Sequence, residues 1–357
     1  MKQSVYAVRS GFDGERCLVH ARCCFAPDIA VATAQYLNIA GSDLFSGLLA
    51  SVSRDGGRTW SDFVPQEGLA PLEKEGHLTV GCDATPMLHR KTGKILLLGH
   101  TADYEPGAMH PSGKTRRTFY SVWDPAAGCF TSMRFLDMPE GYERCGNGSG
   151  QSVELENGEL LVPVYYSMGD SPFMSSMVLR CAFDGETLTM LEMGNPLTMT
   201  IGRGLYEPSL VYHKGVYYMT LRNDECGCAA KSTDGLHYTD LHLWRWSDGS
   251  LLDNYNTQQH WLTLGDDLYL VYTRRGADND HVFRHRAPLF AAKVENMMLC
   301  RETETVLVGE RGARLGNFGV TSVTENKAVV MAAEWMQPKG CEAWGSDNSI
   351  FLAVVEK

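Results

Sequence analysis

No apolar stretch of this sequence approaches the roughly 20 residues that a membrane-spanning helix needs. The longest runs, such as Ile95–Leu98 and Ala328–Ala333, have the length of strands. The opening Met1-Lys2-Gln3-Ser4-Val5-Tyr6 lacks the apolar core of a secretion signal. A soluble, cytoplasmic chain that contacts no membrane is therefore expected. Basic blocks are missing too. The 32 Lys+Arg stand against 43 Asp+Glu, a net charge of −11. That balance argues against nucleic acid as a partner, but not against a small anion, because a local arginine cluster can override net charge. No C-x-x-C pair occurs among the eleven cysteines, and Cys23-Cys24 and Cys226-Gly-Cys228 are too isolated for a zinc site. They read as reduced, mostly buried thiols, and no metal or cofactor is expected. Helical periodicity is scarce. No linker rich in Pro, Gly and Ser divides the chain, so residues 1–357 read as a single domain.

What the chain does have is strands and turns. Glycine is frequent, at 36 residues. Apolar or alternating runs recur: Asp28–Tyr36, Lys94–His100, Glu159–Tyr166, Val216–Arg222, Asp267–Arg274 and Lys327–Trp335. Their spacing of roughly 60 residues suggests radial repetition of a small sheet, as in a β-propeller. Six such units would fill the chain, although a pair of β-sandwiches would produce similar runs. One turn sharpens the reading. Ser53-Arg-Asp55-Gly-Gly57-Arg-Thr59-Trp60 fits S-x-D-x-G-x-T-W, a hairpin plug in which Ser and Asp bond turn amides and Trp packs beneath. Ser232-Thr-Asp234-Gly-Leu-His-Tyr238 is a worn second copy.

Two such turns on a repeating all-β background resemble the Asp-box (BNR) repeats of the sialidase superfamily. The resemblance implies an all-β, six-bladed β-propeller of four-stranded antiparallel blades. It implies a fold more firmly than an activity. Sialidases bind the sialic carboxylate with three arginines, use an Asp as acid/base, and use a Tyr nucleophile activated by a carboxylate. Carried over position by position, His20-Ala-Arg22 supplies the first arginine and Gly41-Ser-Asp43 the acid/base. Tyr206-Glu207-Pro-Ser-Leu210 supplies Glu207 as the activating carboxylate, and Arg222 is the second arginine. Arg284-His285-Arg286 supplies the third, Arg284 first and Arg286 in reserve. Three guanidiniums can hold a carboxylate by charge-assisted, bidentate bonds, so the implied partner is an acidic oligosaccharide or glycoside. Phe318 stands where the family has its Tyr; another tyrosine, such as Tyr206 or Tyr272, could fill that space, or water could replace it in an inverting variant with Glu207 or a His as base.

Other residues are candidates on their own chemistry. Gln259 and His260 lie in Asn256-Thr-Gln-Gln259-His260-Trp261, a polar and aromatic cluster suited to sugar hydroxyls and ring stacking. His260 and His285 are usable bases. Asp83, in Gly81-Cys-Asp83, resembles an inner-strand pocket residue. Three functions follow. The first is an exo-glycosidase that removes a terminal acidic sugar. The second is a lyase that splits a uronic-acid glycoside by β-elimination with a His base. The third is a non-catalytic propeller that binds acidic glycans. The oligomeric state is not legible.

Overall fold

A computed structural model describes all residues, 1–357, as thirty strands and four short 3-10 helices. The alternating and apolar runs form strands as expected, with glycine and Asx turns between them. No helix is long and apolar enough to cross a membrane. All eleven cysteines are free thiols, ten of them buried.

The strands pack as a ring. The first sheet, Arg16–Ala26, Ile29–Asn38, Phe45–Ser53 and Val64–Pro65, presses Val31 and Leu48 against Leu97 and Phe119 of a second, larger sheet. That sheet folds over on itself about Leu98, Tyr120, Val164 and Leu179. Its Leu161 and Val178 meet Leu210 and Met219 of the sheet opened by Tyr206–His213 and Val216–Arg222. There Ala229 and Trp244 pack on Leu270 and Phe290, next to the sheet opened by His260–Leu264 and Asp267–Tyr272. Leu262 and Val271 pack on Val320 and Val330 of the last sheet. Val329, Met331 and Ile350 then return to Leu18, Ala32 and Leu49 of the first. The last sheet is completed by Lys2–Arg9, which pairs antiparallel with Ile350–Glu356.

The all-β, propeller-like arrangement is therefore present, but the expected six blades of four strands are corrected. Four sheets have the four or five strands of a blade, and the other strands form one sheet of twelve. The join is Arg144–Gly146, parallel to Arg116–Asp124 on one side and antiparallel to Leu160–Ser167 on the other. That short segment carries no strand pattern of its own, so the spacing of apolar runs could not show it.

Both turn motifs close hairpins. The Asp55 carboxylate accepts from the Arg58 and Thr59 amides and from the Ser53 and Thr59 hydroxyls. Gly57, at φ 88°, lies against Phe25, where a side chain would be both strained and crowded. In the second copy Asp234 accepts from the Leu236 and His237 amides, and the His237 ring replaces the Thr hydroxyl.

One further backbone feature positions the site. His20, Asp83, Ser149, Glu207, Asn256 and Asn317 all take positive φ, between 49° and 68°. Three of them sit where strand register slips, between Val19 and Arg22, Cys82 and Thr85, and Tyr206 and Ser209. Such bulges re-aim side chains, and Asp83, Glu207, Asn256 and Asn317 line the same cavity.

Candidate functional site

That cavity has a volume of about 710 Å³. Seven arginines line it: Arg116, Arg144, Arg203, Arg222, Arg284, Arg286 and Arg314. Five carboxylates do so: Asp43, Asp83, Asp103, Glu207 and Asp224. Cations thus outnumber anions there, in a chain whose overall charge is −11.

Arg222 ends its strand facing the Glu207 bulge. Its Nη1 donates to both Glu207 oxygens at 2.9 and 2.7 Å, and its Nη2 donates to Asn256 Oδ1 at 2.6 Å. Arg222 Nε is buried and has no partner. Arg286, buried, donates to the Asn256 carbonyl. Arg314 lies over the Trp335 ring at 3.9 Å, and its Nε is likewise buried and unpartnered. Burial and the crowd of cations weaken the hold of these groups on their protons. Burial, with Arg284 beside it, brings Arg314 down to about 10 despite the opposing pull of Asp43. Burial lowers Arg286 and Arg284 as well, with Arg222 the next cause for each. An anion bound among them would relieve both effects.

Tyr206 adjoins this cluster. Its hydroxyl donates to Asp224 Oδ1 at 2.5 Å and accepts from Arg203 Nη2 at 2.8 Å. The Arg222 and Arg203 guanidiniums lie 4.7 and 4.9 Å from its ring centre. Burial raises the phenol to about 12, while Arg222 and then Arg203 pull the other way. Burial also works against the Asp224 carboxylate, but bonds from Arg203 and Tyr206 outweigh it and hold its pKa well down.

The cavity thus collects Asp43, Asp83, Glu207, Arg222, Arg284 and Arg286 of the expected residues. Asp43 sits at φ 53°, its carbonyl accepting from Tyr104 at 2.5 Å. Asp83 accepts from Arg22 at 2.9 Å and Asn317 at 2.8 Å.

The others stand outside the lining, which corrects their expected placement. Arg22, 1% exposed, is turned inward beside the bulge, its Nη2 donating to Asp83 and Gln258 and its Nε to the Phe318 carbonyl, while its Nη1 is buried and unpartnered. Gln259 is buried between Thr220 and Thr257. His260 is buried among Ser209, Gln258 and the Phe318 ring, and burial with Arg22 nearby drops its pKa to about 3. His285 bonds Tyr255 and Asp280 away from the cavity. Phe318 is 0% exposed and belongs to the core between two sheets, so Asn317 takes the place facing the cavity. Tyr272 is buried and donates to Glu304.

Arg203, Asp224, Arg314, Arg116 and Arg144 were missed. The last two begin strands, of nine and three residues, with no motif around the arginines. Arg314 stands four residues before Phe318, a signal that was on view. No group of three or more His, Cys, Asp or Glu is placed to hold a metal ion.

Comparison with solved structures decides the fold. A Dyadobacter fermentans protein of unknown function is similar over 99% of both chains, with TM-score 0.70 and 15% identity. Trypanosoma rangeli sialidase matches 99% of this chain with TM-score 0.67 and 15% identity. The fold is sialidase-like. Leech intramolecular trans-sialidase matches at TM-score 0.63 and 12% identity, with 99% of this chain and 70% of that one covered. The chain spans 59% of the length of the T. rangeli enzyme. No protein-family model and no curated protein matches the sequence.

Proposed function

We propose that the protein is an exo-glycosidase that releases a terminal acidic sugar, sialic acid or a related acid, with retention of configuration. The observation that carries this reading is the Tyr206–Asp224 hydrogen bond in a cavity lined by seven arginines. Arg222, Arg284 and Arg314, with Arg286 behind, hold the sugar carboxylate, and Glu207 fixes Arg222. Asp43 gives its proton to the departing glycosidic oxygen. The Tyr206 oxygen bonds the anomeric carbon as its proton passes to Asp224. Asp43, now a carboxylate, then takes a proton from the water that displaces Tyr206, and Asp224 returns its proton to the departing Tyr206 oxygen. Two features support the assignment of Tyr206: flanking guanidiniums favour its phenolate, and the other tyrosine considered, Tyr272, is in the core. Structures of the T. rangeli sialidase hold sialic acid and a covalent intermediate with 2,3-difluorosialic acid.

The alternatives have less support. The lyase reading relied on His260 or His285 as base, and neither lines the cavity. A binding-only propeller has no use for a phenol paired with a carboxylate beside the arginines. The test is incubation with a 2,3-difluorosialic acid reagent, followed by intact mass and peptide mapping. One sugar added at Tyr206, with NMR showing the retained anomer first from a natural sialoside, is the expected result. Labelling of another residue would overturn the Tyr206 assignment. An unsaturated uronate released from uronic-acid disaccharides, with no action on sialosides, would replace glycosidase with lyase.

A further inference from the structure

Two of the cavity's arginines are not needed by the mechanism above. Arg116 and Arg144 begin adjacent parallel strands and are partners in register. Both line the cavity. Their side chains therefore leave adjacent positions on neighbouring strands, where like charges repel unless something anionic lies between them. No carboxylate of the cavity does so. Glu207 is paired with Arg222, Asp224 with Arg203 and Asp83 with Arg22. Asp103 accepts from Thr79 and Thr115. Asp43 acts on Arg284 and Arg314.

The Arg116 side chain is nevertheless held in place. Its guanidinium lies over the Tyr165 ring at 4.7 Å, and its stem runs across Gly146, where a Cβ would come within 2.6 Å of it. Its Nε is buried without a partner. His100, beside it, brings no countercharge. Burial and then Arg116 hold that imidazole neutral, at about 3. A cation that is fixed, stacked and unpaired is a preorganised anion site. It lies on the twelve-stranded sheet, across the ring from the sheets that carry Arg284, Arg286 and Arg314.

The geometry points to a second anion subsite formed by Arg116 and Arg144, so that the substrate carries two negative groups. This rests on the reading of the cavity as an acidic-sugar site. One group is the carboxylate held by Arg222, Arg284 and Arg314. The other is an oxyanion at Arg116 and Arg144, supplied by a sulfate ester on the sugar or by the carboxylate of a neighbouring acidic sugar.

The test is calorimetric titration of three S-linked probes, which a glycosidase does not cleave: the α-methyl thioglycoside of sialic acid, the same thioglycoside bearing one sulfate, and an S-linked α2,8-disialoside. Wild type should bind at least one dianion about tenfold or more tighter than the monoanion. The tighter one identifies the source. The double substitution Arg116→Gln, Arg144→Gln should erase that advantage and leave monoanion affinity unchanged. Equal binding of all three probes by wild type would overturn the second subsite while keeping the acidic-sugar reading. Loss of monoanion affinity in the double variant would place both arginines in the primary clamp instead, and overturn it too. Binding of none of the three would overturn both readings together.

Discussion

Two carboxylates at the same end of one strand pair serve different partners, and single substitutions separate them. Glu207 is 8% exposed and neutralises Arg222, itself 6% exposed. Replacing Glu207 with Gln leaves a buried guanidinium without its counterion, a loss of about 3–5 kcal/mol in similar cases. Asp224 instead accepts from the Tyr206 hydroxyl, and its cation partner Arg203 is largely in solvent, where an ion pair is worth little. Asp224→Asn should therefore cost less stability than Glu207→Gln, although it gives up the bonds that hold its carboxylate charged, and lower kcat by about 10²- to 10⁴-fold, the range for a lost proton acceptor. Urea unfolding and steady-state kinetics on both variants check this. If Asp224→Asn kept full turnover, Tyr206 would not need a base and its role as nucleophile would fall.

At the scale of elements, the turns were the most legible part and the bulges the least. Ser53, Asp55, Gly57 and Trp60 announce their hairpin because each residue type does a local job within eight positions. The cavity lining is set by something else. A positive-φ residue inside a strand shifts which side chain faces which way, and a slip of one residue exchanges the two faces. Nothing in the local pattern at Asn317-Phe318 signals that Asn317 takes φ 53°. Alignment by position therefore gave the cavity to Phe318, when the turn between Arg314–Leu315 and Gly319–Thr324 gives it to Asn317. The same holds at His20-Ala-Arg22, where Arg22 turns to Asp83. Arg222 and Glu207 were legible because they lie in a long matching stretch, whereas Arg203 and Asp224 act only through contacts across a strand pair. The Phe318 assignment is directly testable. Phe318→Ala should cost about 3–5 kcal/mol, as for a fully buried aromatic, and leave affinity for an acidic sugar unchanged. Chemical denaturation and titration check it; a weaker sugar affinity at unchanged stability would return Phe318 to the cavity wall.

At the scale of the whole molecule, the ring buries polar groups around its centre, and that makes the fold sensitive to acid in a defined window. His20, His100 and His260 are all held below the ordinary histidine value, first by burial and for the last two to about 3. His100 and His260 are neutral in the folded protein, whereas the unfolded chain takes up their protons near pH 6.5. As pH falls through 6.5 the unfolded state binds more protons than the folded one, so stability declines, by about 1.4 kcal/mol per pH unit for each of these two, and His20 adds in the same direction. Asp83 and Asp224, held low in the folded state, add to the decline only once pH drops toward their unfolded value of 3.8. Glu334 works in the opposite sense. Burial raises its folded pKa above 4.5, so the folded state gains its proton first and is favoured as pH falls to that value. His100 and His260 against Glu334 leave a net loss between pH 6.5 and 4.5. The urea midpoint should fall steadily across that interval, and His260→Gln should reduce the slope by about one histidine's share. Comparing slopes makes the result independent of any fixed packing cost of the substitution. A midpoint that stayed flat from pH 6.5 to 4.5 would mean that the central histidines bind protons in the folded ring, and that the polar centre is open to water.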